Sequence, residues 1–192
     1  MNSNVYVLGI DPGLANMGVA LVSIGATEAE DRVERLMIFR TEKSDKKKGI
    51  LAAADMMERG RLISGSLKTV FRDFPGAIKA VCTESFSPPR NASAAAKIAL
   101  SFGVLLAVLD DLPLLQVSPQ DLKKKVAQSK TASKEDVQKA LDERFSGVPA
   151  ALLCDKRIAN SYREHAYDAL GAVVGCLDSD LIRMVRGLKC KG

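Results

Sequence analysis

The sequence has no tryptophan, one histidine and four cysteines. None of the cysteines (Cys82, Cys154, Cys176, Cys190) shares a C-x-x-C spacing, and with His165 the sole histidine the pattern argues against a Cys/His zinc site. Cys82 and Cys176 lie within apolar runs, as reduced core thiols of a cytoplasmic protein do. No apolar run approaches the roughly 20 residues that span a bilayer. No signal-peptide core precedes the first apolar segment. Repeats and low-complexity stretches are also missing. The expectation is a soluble, non-secreted protein, cytoplasmic or associated with an organelle or nucleoid, with no membrane partner.

An excess of acidic residues is lacking too. Lys and Arg number 28 against 23 Asp and Glu, a formal net charge of +5 and a pI near 9.0, which permits a polyanionic partner without requiring one. At 192 residues and 47% hydrophobic, the chain has the material for one domain with a full core.

What is present is organised around Val5–Val22, VYVLGIDPGLANMGVALV. Two runs of aliphatic and β-branched residues are separated by Pro12 and Gly13, which predicts two strands joined by a tight connection, with Asp11 at the end of the first. Taken alone, Asp11 is equally a turn aspartate before proline. Arg32–Arg40 predicts a third strand. A charged loop, Thr41–Gly49, precedes a long amphipathic helix over Ile50–Phe74, which Pro75 and Gly76 stop. Ala80–Thr83 is a short apolar run that ends on Glu84, and the loop Ser85–Arg90, with Pro88-Pro89, continues neither strand nor helix. A helix over about Asn91–Leu109 and a short strand over Leu112–Val117 follow.

Ser118-Pro119 and Ser133 with Asp136 are helix-start signals. Gly147–Asn160 reads as irregular. The last helix is expected over about Tyr162–Arg186, as one element, with Ser161 and Glu164 as its capping box. It carries an apolar stripe (Leu170, Val174, Leu177, Leu181, Leu188) and a small-residue stripe (Ala169, Ala172, Gly175, Cys176) that begins with His165 and Asp168. Small residues let the helix approach a sheet, which would aim His165 and Asp168 toward the strand ends. The order β-β-β-α-β-α-β predicts an α/β fold with a five-stranded mixed sheet flanked by helices on both faces.

Asp11, Glu84 and Asp168 thus sit at two strand ends and the start of a packed helix. Hard carboxylate oxygens in such a place suit Mg²⁺, which retains positions for substrate phosphate. Two such ions can activate a water and stabilise the leaving oxygen of a phosphodiester. Lys123, Lys124, Lys125, Lys130 and Lys134 are available for phosphate, Lys134 in a helix's first turn, although each taken singly is more often a solvated surface residue.

LGIDPGLANMGVA, the strand ending in Glu84, and HAYDAL together resemble the RuvC group of Holliday-junction resolvases in the RNase H-like nuclease superfamily. Asn91-Ala92, Lys97, Gly103, Leu122-Lys123 and Thr131–Lys134 agree as well. The resemblance runs from Val5 to about Val174. It implies an RNase H-like fold and Asp11, Glu84 and Asp168 as Mg²⁺ ligands, two ions per site with Mn²⁺ able to substitute. His165 would be a further ligand or would orient the attacking water. It also implies Lys134 and Lys123 as phosphate contacts, with Lys130, Phe86 and Arg90 as further DNA-facing candidates. The implied function is symmetric nicking of four-way junctions by a homodimer, with a branch-migration helicase as a possible partner. Departures fall mainly in the loop after Glu84: Ser87 stands where an aromatic is common, and Ala99 replaces a common glycine. Asp178–Gly192 has no counterpart. Other readings are a broader flap and Y-fork nuclease, a decayed nucleic-acid-binding module, and an actin-like phosphotransferase, the last disfavoured because no second glycine-rich phosphate loop is present.

Overall fold

The computed structural model describes residues 5–44, 49, 51–85, 91–154 and 159–189. Phe86 and Arg90, with Lys46–Lys48, Ser87–Pro89, Lys156 and Arg157, lie outside the described residues. Five strands, β1 (Tyr6–Asp11), β2 (Asn16–Ser23), β3 (Arg32–Arg40), β4 (Ile78–Glu84) and β5 (Leu114–Val117), form one sheet in the order β3-β2-β1-β4-β5. The first three pair antiparallel and β4 and β5 join in parallel, giving the mixed sheet that the element order predicts.

Seven α-helices accompany the sheet among the described residues: α1 (Ala52–Asp73), α2 (Ala92–Leu109), α3 (Pro119–Ala127), α4 (Lys134–Arg144), α5 (Val148–Leu152), α6 (Asn160–Cys176) and α7 (Asp180–Lys189). Strand alternation divides the core in two. Val7, Ala20, Val22, Ala80 and Cys82 face α6 and, beyond it, α3, α4 and α7. Leu8, Ile10, Val19, Leu21 and Val81 face α1 and α2. The two Ser-capped starts are present as expected, Ser118 Oγ accepting from Asp121 N–H and Ser133 forming a full capping box with Asp136.

Three expectations need correction. The last helix is two helices: α6 ends at Cys176 and α7 begins at Asp180, with Ser179 Oγ accepting from Ile182 N–H at the new start. The helix is also not capped by Ser161 and Glu164, since α6 begins at Asn160 after Ala159, and Glu164 pairs elsewhere. Gly147–Asn160 contains α5, five residues following Gly147 at φ 76°. In addition, α2 is 18 residues long with a mean hydropathy of 2.0, so one helix is long and apolar enough to cross a membrane by length and composition.

The C-terminal segment belongs to the core. Leu177, Ile182 and Val185 are buried. Arg186 forms a two-pronged pair with the buried Asp31 (2.7 and 2.6 Å) and donates to Gly25 O, which locks α7 onto the β2–β3 end of the sheet.

Candidate metal and nuclease site

The closeness of α6 to the sheet is set by two glycines. A Cβ on Gly9 would fall 2.0 Å from Ala169 O, and one on Gly18 would fall 1.8 Å from His165 O. Neither position accepts a side chain without lifting the helix. Ala166, Ala169 and Ala172, all fully buried, complete the contact from the helix side. This is the small-residue contact expected from the sequence, and it lays His165 and Asp168 beside the ends of β1 and β2.

Asp11 is the last residue of β1 and Glu84 the last of β4, two neighbouring parallel strands whose pairing runs to Ile10 opposite Thr83. By alternation Asp11 shares a face with Val7 and Gly9, and Glu84 shares one with Ala80 and Cys82. Both carboxylates therefore lie on the α6 side, one pairing step beyond that last registered pair. His165 Nδ1–H donates to Asp11 Oδ2 at 2.6 Å. Asp168, one turn further along α6, lies 3.7 Å from Lys134 Nζ, and Lys134 also donates to Glu164 at 3.0 Å. The first turn of α4 is thus tied to the first turns of α6.

These groups act on one another electrostatically. Burial, and then the charge of Asp11, pushes the Asp168 carboxyl up to about 6, with Lys134 and His165 opposing the rise. Burial, followed by the charges of Asp168 and Asp11, raises Glu84, while Lys134 and Lys123 pull it back. The hydrogen bond to Asp11 raises His165 above the ordinary imidazole value, and bonding to Glu164 raises Lys134. Asp11, Glu84, Asp168, His165, Lys134 and Lys123 therefore form one electrostatic cluster.

The remaining sequence candidates are placed differently. Lys130 stands exposed in the turn between α3 and α4. Lys125 is held by Asp178 at 2.7 Å and Glu28 at 3.6 Å, so it joins α3 to the chain around it. Sequence reasoning missed Glu164 as the partner of Lys134. It also missed Arg40, whose guanidinium lies 4.0 Å from the centre of the Tyr162 ring, one turn before His165.

Among the described residues, no three His, Cys, Asp or Glu side chains are gathered closely enough as they stand to hold a metal ion. Donor chemistry and charge nevertheless fit a hard divalent cation. The set is carboxylate oxygen, and burial, followed by the charges of neighbouring carboxylates, raises Glu84 and Asp168, a cost that a bound cation would relieve.

A mixed sheet in this order, with its carboxylates on the face covered by the close-packed α6, is the RNase H-like nuclease fold. Comparison with known proteins agrees. The family model for crossover junction endodeoxyribonuclease RuvC matches residues 7–146, and the chain belongs to that family. Thermus thermophilus RuvC superposes with a TM-score of 0.66 at 22% identity, covering 89% of this chain and 92% of that one. T. thermophilus RuvC in complex with Holliday junction substrate superposes with a TM-score of 0.70 at 21% identity, covering 95% of this chain and 97% of that one. No curated protein matches the sequence. The family match stops before α6, so His165 and Asp168 are supplied from outside it.

Proposed function

We propose that the protein is a divalent-metal-dependent endonuclease that resolves four-way DNA junctions by paired symmetric nicks. The observation that carries this reading is the shared electrostatic cluster of Asp11, Glu84 and Asp168, with His165 bonded to Asp11, in a RuvC-family fold.

In this reading Asp11, Glu84 and Asp168 hold Mg²⁺, two ions per site, with Mn²⁺ as substitute. The metal, when bound, lowers the pKa of a bound water and stabilises the leaving oxygen of the scissile phosphodiester. His165 donates its Nδ1–H to Asp11, so when the ring is neutral Nε2 carries the lone pair that orients the attacking water or joins the ligand set. Lys134 and Lys123 face the cluster and meet the scissile phosphate.

A homodimer accounts for paired nicks, because a two-fold assembly repeats its site on a two-fold substrate. Support comes from the α1–α2 layer, where Met57, Leu62 and Leu106 are more than half exposed and α2 is mostly unburied despite its apolar composition. A location with the cell's DNA, in cytoplasm or organelle, follows from the substrate. A branch-migration helicase is a compatible partner.

Cleavage of a labelled immobile junction beside a linear duplex and a Y-fork tests the substrate. Paired nicks in the junction alone support resolution. Equal cutting of forks would make the protein a broader branched-DNA nuclease.

A further inference from the structure

A cavity of about 300 Å³ lies on the other side of the sheet from the carboxylates, at the first turns of α1 and α2. Its walls carry Lys43, Ser44, Asp55, Arg59, Ser93 and Lys97. Three basic side chains face one carboxylate there, an excess of two positive groups. Asp55 is already engaged: its Oδ1 accepts from Ser44 N–H at 2.7 Å and its Oδ2 lies 3.7 Å from Arg59. The Ser44 bond holds its carboxyl below the usual range, so it remains ionised and committed to those partners.

Arg59 is the unusual member. Its side chain is only 5% exposed, on a helix where its other neighbours could have been apolar. Its Nε–H donates to Thr41 Oγ1 at 2.8 Å. Thr41 in turn donates its hydroxyl to Leu14 O and its N–H to Ala15 O. Arg59 is therefore fixed to the loop that leaves Asp11. The cavity and the carboxylate cluster lie on opposite sides of the same strand-end loop.

The helix termini add to the same sign. Ala52 and Asp55 belong to the first turn of α1 and Ser93 to the first turn of α2, so the positive ends of two helix dipoles border one cavity. Two hydroxyls, Ser44 and Ser93, supply further donors. A cavity of this size holds an anion together with several waters, each occupying about 30 Å³.

We propose that this cavity seats a second, uncut backbone phosphate of the bound DNA, a non-scissile phosphodiester that fixes the strand relative to Asp11. The proposal rests on the reading of the protein as a DNA nuclease. Oxyanion recognition alone would also admit free inorganic phosphate, and the experiment separates the two.

Equilibrium binding of a labelled four-way junction is measured in EDTA across about 50–200 mM salt for the wild type, for Lys43→Gln with Lys97→Gln, and for Lys68→Gln with Lys139→Gln as a charge-matched control on exposed helix faces. Losing one phosphate contact per subunit reduces the slope of log K against log salt by about 0.9 per site. The expected result is that reduction with several-fold weaker binding in the cavity variant, and no change of slope in the control. An unchanged slope in the cavity variant, or an equal change in the control, overturns the proposal. A second arm raises inorganic phosphate at constant ionic strength and follows thermal stability. Stabilisation that depends on Lys43 and Lys97, with an unchanged junction slope, would assign the cavity to free phosphate and overturn the DNA assignment. A wild type that binds no junction overturns the nuclease reading itself, an outcome distinct from a wild type and cavity variant that bind alike.

Discussion

His165 Nδ1 lies 2.6 Å from Asp11 Oδ2, a single hydrogen bond that spans 154 residues and joins the start of α6 to the end of β1. Because it raises the His165 pKa above the ordinary value near 6.5, it contributes stability that is fully present below that value and is lost as pH rises through the raised folded-state value. In EDTA, the Tm difference between wild type and His165→Gln should be largest near pH 6 and shrink toward pH 9. Thermal unfolding over this range checks it; a difference that grows with pH would refute the pairing. Cleavage should fall in the same variant.

Asp168 has the same sign of pH dependence in a lower window. Its pKa rises from 3.8 to about 6, so the folded state favours its protonated form, and the associated stability is lost as pH rises from about 4 through 6. Asp168→Asn should therefore raise the metal-free protein's stability at pH 7.5 by on the order of 1–3 kcal/mol, and not at pH 4. The same variant should lose cleavage and most of the Tm gain that Mg²⁺ gives the wild type. Scanning calorimetry with EDTA and with Mg²⁺ measures both.

Gly18→Ala places a methyl group 1.8 Å from His165 O as the backbones stand, and the helix must move. Overpacking of this kind costs about 1–3 kcal/mol, a Tm decrease of roughly 2–12 °C. Displacing His165 and Asp168 by about 1 Å should reduce cleavage on the order of 100-fold at temperatures where the variant is fully folded. A variant with lowered Tm and wild-type cleavage would show that the close approach serves packing alone.

Leu106 is 57% exposed on an apolar helix, so Leu106→Glu should leave the fold intact and split the proposed dimer. Sedimentation should show a monomer, and junction nicks should become uncoupled single events. Wild type already monomeric at micromolar concentration would contradict the dimer.

Much of this site was legible because strands end where their apolar runs end. Asp11 and Glu84 follow such runs, and β3 occupies Arg32–Arg40 as the residues predict. The α6–α7 break was hidden because Leu177 and Leu181 preserve the helical apolar period across it, while the local Ser179 cap that starts α7 competes invisibly with that pattern. Glu164 looked like a capping partner at short range and is instead drawn to Lys134, thirty positions away. Likewise nothing local in RGRLIS announces that Arg59 is buried against Thr41, since that contact depends on how α1 lies on the strand-end loops. The membrane-length apolar character of α2 was overlooked because Ser93, Lys97, Ser101 and Gly103 break its apolar residues into shorter runs.

The central claim is that three carboxylates hold metal for cutting a junction. The measurement that tests it most directly is single-turnover cleavage of an immobile four-way junction by Asp11→Asn, Glu84→Gln and Asp168→Asn, with Mg²⁺, Mn²⁺ and EDTA, alongside junction binding by the same variants in EDTA. The account predicts that each substitution lowers cleavage by at least about 1000-fold, the scale of removing essential electrostatic stabilisation, that EDTA abolishes wild-type cutting, and that all three variants still bind the junction. Cleavage at the wild-type rate by any one of them, or wild-type cleavage that persists in EDTA, would contradict it.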